Sequence, residues 1–139
     1  MPRHWGEDWG DDYPHRDVTE AIILAAIAVQ KALGPGLLED AYKACLAHEL
    51  RLNGHKATRE VHLDITYKEL SVTNAYIIDL VVDDKVLVEA KAIEKFSDAN
   101  FAQLNSYLHF SNFQVALLLN FHHWPLKADG IKRLVNTRP

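Results

Sequence analysis

The run over residues 77–91, IIDLVVDDKVLVEAK, constrains this chain more than any other stretch. Two short series of aliphatic and β-branched residues flank Asp83-Asp84-Lys85, the pattern of two strands joined by a tight polar turn. Three charges interrupt them: Asp79 before the turn, and Glu89 and Lys91 after it. Charge inside an apolar hairpin is unfavourable unless it is compensated or used, so these residues mark where chemistry should be sought.

Loop length decides which face of the hairpin each acid occupies, because side chains alternate along a strand. A two-residue loop, Asp83-Asp84, sets Asp79 opposite Val88 and turns Glu89 to the other face. A three-residue loop pairs Val82 with Val86, sets Asp79 directly across from Glu89, and leaves Lys91 on the face of Glu89. We expect the three-residue loop, or a bulge with the same effect.

The remaining elements build walls around this hairpin. Asp17-Val18-Thr19-Glu20 reads as a capping box opening a helix that reaches about Leu33. That helix is apolar on most of its circumference, so cover is expected from the sheet and, as a candidate homo-oligomer contact, from a second subunit. Gly34-Pro35-Gly36 stops it. A second helix, over residues 37–52, carries a core face of Leu38, Ala41, Cys45 and Leu52, with Glu39 and Tyr42 on a neighbouring face. Val61, Leu63, Ile65 and Tyr67 alternate with polar residues as a strand with one wet face, and further strands are expected over 72–82 and 86–92. Ser97 caps a third helix ending near Phe110. Residues 113–121 read as a central strand buried on both faces, His122-His123-Trp124-Pro125 breaks it, and residues 131–135 form a short last strand. The fold class is therefore α+β: three antiparallel strands, then a helix and further strands, make a mixed central sheet flanked by helices.

A length of 139 residues fits one domain, placed at 17–139 behind an acidic, aromatic tail over 1–16 that is expected to be flexible. Trp5, Trp9 and Tyr13 are its candidate docking points. The tail resembles no secretory or transit signal. The longest apolar run, residues 21–29, is too short to span a bilayer, so no membrane partner is expected. The single cysteine, Cys45, excludes an internal disulfide framework and points to a reducing, cytoplasmic setting. A net charge of −4 argues against strong nonspecific nucleic-acid binding, although a divalent cation supplies local positive charge that a residue count misses. Lys127, Lys132, Arg133 and Arg138 also gather at one end.

Two carboxylates on neighbouring strands make an oxygen-rich pocket suited to Mg²⁺ or Mn²⁺. Lys91 beside them can orient or help deprotonate a water and offset charge on a phosphoryl group, a set of groups suited to phosphodiester hydrolysis. The plainer alternative is a cross-strand ion pair in which Lys91 neutralises acids on a solvated face; the apolar neighbours weigh against it. His122 and His123 diverge as adjacent strand-end residues, which favours surface positions over a metal site.

Asp79 with Glu89-Ala90-Lys91 resembles the PD-(D/E)xK nuclease signature, and the element order is similar to that superfamily's α-β-β-β-α-β core. Gly36-Leu37-Leu38-Glu39-Asp40-Ala41-Tyr42 resembles the motif of the GxxExxY family. Tyr76 to Asp79, residues 102–108 (AQLNSYL), Leu118-Leu119-Asn120-Phe121 and Gly130-Ile131-Lys132-Arg133 are similar as well, so the resemblance runs from about residue 18 to 136. It implies a restriction-endonuclease fold and a metal-dependent nuclease acting on nucleic acid, foremost DNA. It also implies Asp79 and Glu89 as metal ligands, the Ala90 carbonyl as a further ligand, Lys91 at the attacking water, Glu39 close to the metal, and Gln103 and Tyr107 shaping the site. Ile78 stands where the superfamily has proline, which ligation does not need. Plainer roles stay open: Glu39 as a first-turn acid, Gln103 and Tyr107 as a helix brace, and Tyr42 as core. A module that keeps the fold without catalysis, binding nucleic acid or a partner protein, is the other function class.

Overall fold

A computed structural model describes residues 13–136; Trp5 and Trp9, with the tail through residue 12, lie outside the described residues. Helix α1 (Arg16–Leu33) begins one residue before the expected cap. His15, in a left-handed conformation, occupies the N-cap position without a side-chain cap bond, which corrects the capping-box expectation at Asp17. Local contacts replace the box. Glu20 pairs with Arg16 at 3.0 Å, Thr19 donates to the Arg16 carbonyl, and Tyr13 Oη lies 2.9 Å from Thr19 Oγ1. Asp17 still lies in the first turn, where the helix dipole favours an acid.

Helix α2 (Glu39–Leu52) starts two residues later than expected, behind a loop that requires glycine: Gly34 and Gly36 have φ of 74° and 111°. Its buried stripe is Tyr42, Leu46, Ala47 and Leu50, whereas Leu38 and Leu52 are exposed. The expected core face is thus corrected by a rotation of the stripe. Tyr42 decides that rotation, stacking on Phe121 with ring centroids 4.6 Å apart.

Strands β1 (Ala57–Tyr67), β2 (Leu70–Val82), β3 (Val86–Lys91), β4 (Val115–Asn120) and β5 (Ile131–Val135) form one sheet in chain order. Every neighbouring pair is antiparallel except β3 and β4, which are parallel and joined through helix α3 (Asp98–Phe110). Ser97 caps α3 in a capping box with Asn100. A four-residue helix, α4 (Leu126–Asp129), precedes β5 and was not anticipated. The architecture is the expected mixed α+β sheet flanked by helices.

Two cores sandwich the sheet. On one side Val18, Ile22 and Val29 of α1 and Tyr42, Leu46 and Leu50 of α2 meet Leu80, Val82, Val86 and Val88. On the other, Leu104, Tyr107 and Leu108 of α3 meet Ile78, Val81, Leu87, Ala116 and Leu118. Strand β4 is buried along its whole length, as a strand covered on both faces must be. Each fully buried leucine contributes about 2 kcal/mol through removal of apolar surface from water, which is what anchors the hairpin. Leu24 of α1 is 68% exposed, so the sheet leaves that side of the helix uncovered. Among the described residues no helix is long and apolar enough to cross a membrane.

Candidate active site

The β2–β3 register pairs Val82 with Val86, Val81 with Leu87 and Leu80 with Val88, which is the three-residue loop. Asp83 and Asp84 both adopt positive φ, a conformation aspartate tolerates better than most residues, and Lys85 N closes the turn on the Val82 carbonyl at 2.9 Å. The turn is tied to the segment after α2. Asp83 accepts from Lys56 N at 2.9 Å and lies 2.7 Å from His55 Nδ1, while Lys56 Nζ reaches Asp84 at 2.9 Å. Burial works to raise the pKa of Asp83, but the bonds from His55 and Lys56 outweigh it and hold the carboxyl below its ordinary value.

The paired ladder ends at Leu80 and Val88, and the acids take over there. Asp79 N donates to Glu89 Oε1 at 3.1 Å, and Ala90 N donates to Asp79 Oδ2 at 2.9 Å. Strand alternation also slips at this point: Ile78 packs on the α3 side, while Leu80 and Val82 pack on the α1–α2 side. Glu60 of β1, between the partners of Leu80 and Ile78, has a left-handed φ of 55°. The sheet is therefore irregular around Asp79, which carries a half-buried acid between the two cores.

Glu89 is 4% exposed. Burial, followed by the charge of Asp79, pushes its carboxyl up to about 8, with Lys91 acting in the opposite direction. Lys91 is half-buried two residues on, near enough to act on Glu89 electrostatically, although among the described residues no ion pair within 4 Å joins it to either acid. Tyr107 of α3 closes the other side. It packs edge-on against Tyr76 at 4.8 Å, and burial together with the charges of Glu89 and Asp79 pushes its hydroxyl up to about 12. Gln103, one turn earlier, is exposed, and among the described residues no hydrogen bond joins it to the acids.

Glu39 arrives from the first turn of α2. Its Oε1 lies 3.4 Å from Ala92 N, at the end of β3. Tyr42 holds the preceding loop in place, donating to the Gly34 carbonyl at 2.6 Å and accepting from Leu37 N at 3.1 Å. The Gly, Glu and Tyr of the motif thus have one joint effect: the glycine permits the turn, the tyrosine clamps it, and the glutamate is delivered to the strand end. A hollow of about 370 Å³, lined by Leu37, Leu38, Glu39, Asp40 and Ala92, opens beside it.

Lys43 was not among the residues picked from the sequence. Its ammonium lies 3.0 Å from Asp79 Oδ1 and 3.8 Å from Glu39 Oε2. Burial works to lower its pKa, but the hydrogen bond to Asp79 and the charges of Asp79, Glu39 and Asp40 hold it above the ordinary value. The i,i+4 spacing from Glu39 was a visible signal; the reach to Asp79 was not. Asn120, in the LLNF stretch, is a second unanticipated residue. It is buried opposite Lys91 and brackets the chain after β3, donating to the Ile93 carbonyl at 2.8 Å and accepting from Ile93 N at 3.1 Å.

Among the described residues no group of three or more His, Cys, Asp or Glu side chains is arranged to hold a metal ion. The donor set nevertheless fits a hard divalent cation. Mg²⁺ keeps most of its waters and needs one or two carboxylates from the protein, and Asp79 and Glu89 supply two all-oxygen donors already neighboured by a cation, Lys43. The sequence model described as the PD-(D/E)XK nuclease superfamily matches residues 16–134. Neither a curated protein nor a solved structure gives a significant match.

Proposed function

Given that the chain belongs to the PD-(D/E)XK nuclease superfamily, we propose that it is a divalent-metal-dependent nuclease that hydrolyses phosphodiester bonds in DNA. The observation that carries this reading is the pair of hydrogen bonds that join Asp79 to Glu89 and Ala90 across β2 and β3, beside Lys91, Glu39 and Tyr107. Asp79 and Glu89 would hold Mg²⁺ or Mn²⁺, with the Ala90 carbonyl and Glu39 as further donors.

A divalent cation bound there supplies Lewis-acid polarisation of the phosphoryl oxygen and a nucleophile at neutral pH. The chain's own residues do the rest. Lys91 orients the attacking water and offsets charge as it builds on the phosphoryl group. Tyr107, kept protonated near the carboxylates, would offer its hydroxyl as a donor to the site, and Gln103, exposed one turn away, would meet the substrate rather than the acids. The clamp of Tyr42 on the loop before Glu39 supports placing the chain in the GxxExxY group.

The test is cleavage of single- and double-stranded DNA and RNA by purified protein with Mg²⁺ or Mn²⁺. Metal-dependent product, lost in Glu89→Gln and Lys91→Ala, supports the reading. Failure on every substrate by a protein that binds the metal favours a non-catalytic module, a reading with one observation on its side: Asp79 is already paired with Lys43. Self-association through α1 belongs to the same proposal, since a second copy would cover Leu24, and sedimentation of wild type against Leu24→Glu tests it.

A further inference from the structure

The Lys43 ammonium lies on Asp79 Oδ1 with Glu39 in reach. The carboxylate that the irregular strand presents to a cation is therefore already paired from within the chain. Lys43 hangs from the second turn of α2, its side chain is 19% exposed, and four flexible carbons separate the ammonium from a backbone held by the core. Lysine is a compact, strongly hydrated point charge, so it can leave a carboxylate for solvent without a backbone change.

Resting on the metal-dependent reading above, we propose that Lys43 is an internal counter-ion that occupies Asp79 when no divalent cation is bound and gives up that place when one binds. Two consequences follow from the charges. Without metal, Lys43 compensates the charge of Asp79, which is held in a largely buried position. With metal, the ion pair must break first, so Lys43 lowers the affinity of the site.

Calorimetric titration of Mg²⁺ into wild type, Lys43→Gln and Lys43→Arg tests this. Lys43→Gln should bind about tenfold more tightly, the effect of removing one charge-assisted hydrogen bond from the metal-free state, and Lys43→Arg should stay within about threefold of wild type. A second measurement needs no charge-removing variant. The ε-methylene resonance of Lys43, assigned by its loss in Lys43→Arg, should move to the free-lysine position as Mg²⁺ saturates wild type. Unchanged or weaker binding by Lys43→Gln, or a resonance that does not move at saturation, would overturn the inference while leaving the metal site intact. Wild type and both variants failing to bind Mg²⁺ or Mn²⁺ would overturn the metal-dependent reading and this inference together.

Discussion

Asp79 is bonded to Glu89 and to its neighbour across the end of a hairpin: Glu89 Oε1 accepts from the Asp79 amide at 3.1 Å, and Asp79 Oδ2 accepts from the Ala90 amide at 2.9 Å. Each acid thus takes a hydrogen bond where the strand ladder stops supplying one. The main chain therefore holds the two carboxyls together.

Burial of Glu89, with the charge of Asp79 beside it, makes metal-free stability depend on pH. Glu89 titrates near 4.5 in an unfolded chain and at about 8 in the folded one, so the folded protein holds a proton that the unfolded chain releases between those values. Its contribution is fully present below the unfolded value and is lost as pH rises through the folded one. Urea midpoints of metal-free protein should fall across that window, and Glu89→Gln, which cannot ionise, should flatten the decline. Saturating Mg²⁺ should remove it too, because a cation bound there would hold the carboxylate deprotonated.

Asp83 should act in the opposite sense. Its lowered carboxyl contributes stability above the unfolded value and loses it as pH falls through the folded one. Asp83→Ala leaves Lys56 N and His55 without their acceptor and removes a side chain suited to positive φ, at a cost of about 2 kcal/mol by denaturant unfolding. Because this turn sets the register that brings Asp79 to Glu89, Mg²⁺ affinity should fall with it. Asp83→Asn, which keeps an acceptor and tolerates the same backbone, should retain most of both.

Tyr42→Phe keeps the stack on Phe121 and removes only the hydroxyl that bridges Gly34 and Leu37. The expected loss is about 1–2 kcal/mol in unfolding free energy. Activity should drop by more than the folded fraction explains, since the loop that positions Glu39 loses its clamp. An unchanged rate at full folding would make the motif tyrosine a packing residue alone.

Gly130→Ala should destabilise through close approach. A Cβ there would lie 2.8 Å from the Leu126 carbonyl oxygen and 2.9 Å from that of Asn120, contacts that backbone atoms relieve only by moving. A cost of about 1–3 kcal/mol is expected. The strain falls on Asn120, whose amide bonds the Gly130 carbonyl at 2.7 Å and whose side chain brackets Ile93. Thermal melts of Gly130→Ala and Asn120→Ala should therefore shift in the same direction.

The hairpin register was legible because strand parity converts loop length into geometry, and the turn residues Asp83 to Lys85 show that length on their face. The strand series and the cap at Ser97 were legible for similar reasons, each depending on neighbours in sequence. Other features depend on contacts that sequence distance hides. Lys43 meets Asp79 across 36 positions, from a helix to a strand. The stripe of α2 is rotated by the Tyr42–Phe121 stack, which no periodicity count contains. The start of α1 was misplaced because the Arg16–Glu20 pair and the Thr19 hydroxyl compete with the capping box at the same residues. Helix α4 is only one turn long and leaves no periodic signal.

Every role proposed for the site depends on Asp79 and Glu89 together holding a divalent cation. Crystals of the protein soaked in Mn²⁺ and measured at the manganese absorption edge test it most directly. An anomalous peak is expected within coordination distance of a carboxylate oxygen from each residue, with the Lys43 ammonium withdrawn from Asp79. Well-ordered carboxylates with no peak between them, and Lys43 still seated on Asp79 at saturating Mn²⁺, would contradict it.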